Sequence, residues 1–124
     1  MTDKPLNKRL LGAEKENLAA AWLEDQGLRI LARNYRCRLG EIDLIAKDQE
    51  TVVFLEIKYR KNPDKGEAVW AVDMRKQRVI SKVAKYYLTA VFRSVDIPCR
   101  FDVIGIDGEQ ITWIRNAFDY IGKR

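Results

Sequence analysis

The chain has 124 residues, 47% hydrophobic and 33% charged, with a formal net charge of +5. That length suits one domain, residues 1–124, able to bury a core without disulfides or a structural metal. The basic balance favours an anionic partner such as nucleic acid, and the absence of histidine excludes Ser-His-Asp triads, Cys-His pairs, histidine zinc sites and histidine-base nucleases. Carboxylates, lysine, tyrosine or a metal held by oxygen remain for any chemistry.

The N-terminal stretch "MTDKPLNKRLLGAEKENLAA" holds no apolar run of signal-peptide length. No segment approaches the ~20 apolar residues of a membrane span, so no membrane partner is expected. Cys37 and Cys99 form neither a CxxC pair nor a zinc cluster. They read as reduced, half-buried thiols in a cytoplasmic protein, although a disulfide between them is geometrically allowed.

The helix formers of "ENLAAAWLEDQ" predict a first helix over about Leu11 to Gln26, ended by Gly27, with Leu11, Leu18 and Trp22 on one face. A strand, "LRILARNYR", follows, then two strands, "GEIDLIA" and "VVFLEIKY", joined by a short polar turn. A loop covers Lys61 to Ala71, with Asn62-Pro63 and Gly66 as turn signals. A second helix runs from about Asp73, its N-cap, to Val91. "CRFDVIGI" and "QITWIRN" are two more strands around an Asp107-Gly108 hairpin turn. The order α-β-β-β-α-β-β indicates an α/β or α+β domain on a mixed sheet, with frayed ends at the first ten and last few residues.

The central hairpin raises a physical problem, because charge is disfavoured inside strands. Alternation places Glu41, Asp43 and Ile45 on one face of the first strand, with Ile42, Leu44 and Ala46 opposite. In the second strand Val52, Phe54, Glu56 and Lys58 share a face, with Val53, Leu55 and Ile57 opposite. One register sets Asp43 against Glu56 and Glu41 against Lys58; another sets Glu41 against Glu56. Either brings two acids within roughly 5–8 Å, a destabilising arrangement that calls for compensation. Lys58 is one source. A divalent cation is the other: Mg²⁺ prefers clustered carboxylates with water completing an octahedron, Glu56 and the Ile57 carbonyl could reach it, and Lys58 could orient or help deprotonate an attacking water. The competing reading is a set of solvent-facing strand pairs, each worth about 0.2–1 kcal/mol.

At about 100° per residue, the second helix turns Val72, Val79, Ile80, Val83, Tyr87, Ala90 and Val91 to the core. Arg75, Arg78, Lys82 and Lys85 form a basic stripe roughly opposite. Seven basic and two acidic residues lie between Asp73 and Arg100. The stripe either tracks a phosphate backbone or is a solvated helix face. Lys76 breaks the apolar stripe in the first turn, as a snorkelling lysine or as a cation aimed at the acids. Glu16 lies beside Ala19, Ala20 and Leu23 at the edge of the first helix's apolar arc. Arg60 and Lys61 lead out of the hairpin, close to Trp70; Trp22, Trp70 and Trp113 either stack on bases or pack in the core.

"ENLAAAWLEDQGLRILARNYRCRLGEIDLIAKD", "VVFLEIKYR", "AVDMRKQR" and "RFDVIGI" resemble the YraN-like family of small, uncharacterised bacterial proteins. That family is similar to archaeal Holliday-junction resolvases within the PD-(D/E)xK nuclease superfamily. The resemblance spans about Gly12 to Ile106 and implies a restriction-endonuclease-like αβββαβ core. It implies Asp43 and Glu56 as metal carboxylates, with Lys58 as the catalytic lysine. Glu16 would be the helical acid completing the metal site, and Lys76, with Gln77, the polar motif of the following helix. The implied cofactor is Mg²⁺, with Mn²⁺ as a substitute. The implied activity is endonucleolytic phosphodiester hydrolysis in structured or branched DNA, and resolvase-like relatives act as homodimers. A non-catalytic nucleic-acid-binding protein on the same fold is the alternative, and a protein-interaction role a more distant one.

Overall fold

The computed structural model describes residues 7–60 and 70–122. Helix α1 spans Asn7–Asp25, followed by strands β1 (Arg29–Cys37), β2 (Gly40–Asp48) and β3 (Thr51–Arg60). Helix α2 (Met74–Tyr87) runs into a π-turn over Leu88–Phe92, and β4 (Cys99–Asp107) and β5 (Gln110–Phe118) complete the chain. The expected order of elements is the observed one. The five strands form one sheet in sequence order, antiparallel except between β3 and β4. A parallel pair cannot be joined by a hairpin, and α2 lies in the connection that joins these two.

The sheet is covered on both faces. Ala19, Ala20 and Leu23 of α1 pack over Leu44, Ala46, Val53, Leu55, Ile104 and Ile106. On the other face Ile80, Val83, Ala84 and Tyr87 of α2 pack over Ile45, Val52, Phe54, Phe101 and Val103. β3 and β4, central and covered twice, read as near-continuous apolar runs for that reason.

The faces of the helices differ from expectation in two places. α1 buries its alanines and Leu23, while Leu18 is 41% exposed and Trp22 lies at the edge, its ring edge-on to Trp113. Small side chains let the helix settle closely on the sheet, so the core stripe follows Ala19, Ala20 and Leu23, with Trp22 packed at its margin and the bulkier Leu18 left out. In the second helix Ala90 and Val91 are exposed. The π-turn adds a residue per turn, which shifts the phase and turns Leu88 and Phe92 to the core instead. Arg93, left-handed at φ 59°, ends it.

The ends expected to fray lie partly outside the described residues. α1 already begins at Asn7, and residues 1–6 lie outside those described. Near the C-terminus the fully buried Ser81 Oγ accepts the Ile121 N–H at 3.0 Å, which pins the last segment against α2. Most of the expected loop from Lys61 to Ala71 falls outside the described residues.

Two glycines allow the approaches that shape the site. At Gly40 (φ +147°) a Cβ would lie 2.6 Å from Val79 Cγ1, so glycine lets the start of β2 meet α2. At Gly105 a Cβ would collide with the Trp70 indole, which covers this part of β4 beside Lys58. Trp70 thus packs on the sheet. Gly40→Ala is expected to lower stability by about 1–3 kcal/mol through overpacking and backbone strain. A urea midpoint that does not move would show that this approach is not a constraint.

Candidate active site

β2 and β3 pair from Asp48↔Thr51 up to Leu44↔Leu55. Continued, that register sets Asp43 against Glu56, the first of the two expected alignments. The main-chain ladder stops one step earlier, however. Asp43 Oδ2 accepts the Ile57 N–H at 2.8 Å, where a backbone carbonyl would otherwise stand. β2 stays paired with β1 as far as Cys37↔Gly40, and β3 with β4 as far as Arg60↔Asp107. The sheet therefore opens at Asp43 while both halves remain intact. Side-chain alternation slips there too: Ile42 joins Ile45 in the α2-side core, whereas Leu44 and Ala46 face α1.

A strand residue presents its N–H and C=O toward the same edge. With the Ile57 N–H turned to Asp43, the Ile57 carbonyl faces the same opening. Asp43 and Glu56 meet inside it. Burial raises the Asp43 pKa, opposed by the Ile57 N–H and by a hydrogen bond with Glu56. Burial, and then the charge of Asp43, push Glu56 up to about 7, against the pull of Lys76 and Lys58. Both carboxyls therefore hold a proton more readily than an ordinary acid, because each is buried against the other.

Two lysines border the pair. Lys76 Nζ lies 3.6 Å from Glu56 Oε2, so its side chain turns to the acids, and it is placed by the N-cap, since Asp73 Oδ1 accepts the Lys76 N–H at 2.8 Å. Gln77 Nε2 donates to the Val72 carbonyl at 2.7 Å and fastens the start of the same helix. Lys58 Nζ donates to the Ala71 carbonyl at 2.6 Å, which holds it against the segment leading into α2. Glu41 pairs across to Arg36 (3.4 Å) rather than Lys58. A cleft of about 460 Å³ between β2 and the first turn of α2 is lined by Glu41 and Lys76 together with Arg36 and Arg75.

Glu16 reaches this neighbourhood from α1. Burial raises its pKa, followed by the charges of Asp43 and Glu41. Its Oε1 accepts from Asn34 Nδ2 at 2.9 Å. Asn34 stands across β1 from Asp43 in left-handed conformation (φ 48°), which asparagine tolerates better than most residues. Sequence reasoning missed Asn34, although an asparagine within "ARNYR" is a residue that strands disfavour. It also missed the Ala71 carbonyl, a backbone atom with no signature in residue type. Among the described residues no three Asp, Glu, Cys or His side chains come together as a metal-binding group.

The remaining candidates divide. Arg75, Arg78, Lys82 and Lys85 are exposed along α2, as expected. Arg60 is taken up by Asp107 at 2.6 Å, its side chain only 20% exposed, and does not join that stripe. Lys61 lies outside the described residues. A further acid, Asp102, is fully buried away from the opening. It is met by Arg100, by Trp113 Nε1 and by the Asn116 N–H, and it fixes the irregular stretch of β5.

The fold is of the α/β class, a mixed five-stranded sheet between two helices, consistent with a restriction-endonuclease-like core. A family model described as Uncharacterised protein family UPF0102 matches residues 15–106. A UPF0102 protein of Lachnoclostridium phytofermentans is 50% identical over 118 residues, 95% of this chain and the whole of the relative. Similar proteins of Stutzerimonas stutzeri (46% identity, 87% of this chain and 93% of the relative) and Pseudomonas fluorescens (44%, 87% and 92%) carry the same description. The chain belongs to the UPF0102 family. Among the described residues no helix is long and apolar enough to cross a membrane.

The raised Glu56 pKa has a signed consequence. An acid that holds its proton more tightly in the folded state weakens folding as pH rises from its ordinary range through about 7. In metal-free buffer Glu56→Gln is therefore expected to gain stability over the native chain, by about 1–3 kcal/mol, as pH rises from about 5 to about 8. Urea unfolding across that range checks it. A difference that stays constant with pH would mean that neither burial nor Asp43 raises the Glu56 pKa.

Proposed function

We propose that this protein is a Mg²⁺-dependent endonuclease that hydrolyses phosphodiester bonds in structured or branched DNA. The observation that carries the reading is the pair Asp43–Glu56, set in an opening of the sheet and bordered by Lys58 and Lys76. Two carboxylates forced together, one of them raised to about 7, are a poor structural device and a good cation site. Mg²⁺ commonly takes one or two protein carboxylates and keeps several waters, so two acids and one carbonyl fit it without a third acid.

Asp43, Glu56 and the Ile57 carbonyl would hold the ion, with Glu16 nearby as an outer acid. When bound, the metal supplies Lewis-acid polarisation of a phosphoryl oxygen and a lowered pKa for water. A lysine ammonium has three donors. Ala71 takes one from Lys58, which leaves two to orient the attacking water and a non-bridging phosphate oxygen. Lys76 Nζ, placed by the Asp73 cap, stabilises charge that builds at the phosphate. Arg75 and Arg36 in the adjoining cleft would hold the neighbouring phosphates.

A second reading, a non-catalytic nucleic-acid-binding protein, is favoured by one observation: Glu16 is engaged by Asn34 rather than gathered with Asp43 and Glu56. A cleavage panel separates the two. Four-way junction, flap, duplex and single-stranded DNA, and RNA, are incubated with Mg²⁺ or Mn²⁺ and the native chain, Asp43→Asn or Lys58→Ala. The nuclease reading expects metal-dependent cleavage of a branched DNA, lowered at least about 10²–10³-fold in each variant. Equal cleavage by native and Asp43→Asn protein, or none at all, leaves the binding protein.

A further inference from the structure

α2 and its π-turn carry Arg75, Lys76, Arg78, Lys82 and Lys85 and no acid between Met74 and Phe92. Arg75, Arg78, Lys82 and Lys85 recur at three- and four-residue spacing and are exposed along one face. The stripe begins beside Lys76, which meets Glu56. It runs for about 15 Å to Tyr86, at about 1.5 Å per residue.

At its far end lies a groove of about 570 Å³, lined by Lys82, Lys85, Tyr86, Thr89, Tyr120 and Ile121 among others, in which the charged lining residues among those described are both lysines. Its far wall is the C-terminal segment, held by the buried Ser81 through the Ile121 N–H. Tyr86 is 41% exposed and lines this groove beside Lys82 and Lys85. Such a volume is that of a small-ligand pocket and suits one or two bases. Paired bases offer only their edges in the grooves of a duplex. Unpaired bases offer a π-face, and cations with an exposed aromatic are how single strands are held without sequence preference.

Building on the nuclease reading, we infer that the single-stranded arm of a branched DNA leaves the Asp43–Glu56 site along the α2 cations and stacks a base on Tyr86. The opening in the sheet acts on the phosphate, and the groove distinguishes a DNA with an unpaired arm from a fully paired one.

Fluorescence anisotropy in EDTA, where no metal supports cleavage, tests this with the full chain. Native protein, Tyr86→Ala, Tyr86→Phe and Lys82→Ala, compared at matched urea midpoints, are titrated with labelled single-stranded DNA, a forked duplex, a blunt duplex and single-stranded RNA. Tyr86→Ala is expected to weaken single-strand and fork binding about tenfold and leave the blunt duplex unchanged, with Tyr86→Phe restoring affinity. Lys82→Ala is expected to reduce the salt dependence of single-strand binding by about one phosphate contact. Native-like single-strand binding by Tyr86→Ala, an equal loss on the blunt duplex, or tighter binding of RNA than DNA would overturn the assignment. The two readings fail separately: cleavage without a Tyr86 effect removes the groove alone, and a Tyr86 effect without cleavage keeps the strand track and removes the nuclease.

Discussion

The hydrogen bond from the Ile57 N–H to Asp43 Oδ2 is the contact on which the candidate site depends. A side chain has taken the place of a backbone acceptor in the middle of a sheet. Buried main-chain donors must be satisfied, so β2 can leave β3 at this point only because the Asp43 carboxylate stands in for the missing carbonyl. The substitution opens the sheet without leaving the Ile57 donor unpaired, and it sets an acid opposite Glu56. An ordinary ladder continued by one more pair would close the gap.

Holding two carboxyls together in a half-buried opening is unfavourable, and the neighbouring structure offsets this in parts. Gly40 lets β2 approach α2, and the Asp73 cap fixes the turn from which Lys76 reaches Glu56 at 3.6 Å. Trp70 on Gly105 steadies the segment whose Ala71 carbonyl holds Lys58. None of these contacts is strong. A pair of this exposure is worth about 1 kcal/mol or less in water. The Asp43 and Glu56 carboxyls both stay raised by burial despite Lys76, an incomplete compensation expected of a site organised for a ligand rather than for folding.

The sequence disclosed the elements because their signals are local. Every strand, both helices and the Asp73 cap follow from periodicity, turn residues and capping chemistry. Asp43, Glu56, Lys58 and Lys76 stood out because charge inside apolar runs violates the rules that the rest of the chain obeys. What stayed hidden depends on tertiary fit. Leu18 and the alanines of α1 compete for the sheet, and the winner is decided by how closely the helix can pack. The π-turn that exposes Val91 has no marker in "LTAVF". The capture of Arg60 by Asp107 joins residues 47 positions apart, beyond the reach of any local pattern. Asn34 was visible as a poor strand former, but only the fold shows that it faces Glu16.

α2 joins these levels, because it breaks a local rule at the end nearest the acids. Helix N-termini carry partial positive charge and favour acids in the first turn, by about 0.3–1 kcal/mol each. Here that turn has no acid and carries Arg75 and Lys76. Asp73 offsets part of the cost from the cap, and Glu56 offsets part through Lys76. The remaining positive potential faces the cleft between β2 and α2. A helix selected for stability alone would place glutamate there. An anion bound in that cleft would relieve the same imbalance, so the uncompensated charge at the start of α2 and the chemistry proposed for the opening have a common electrostatic origin.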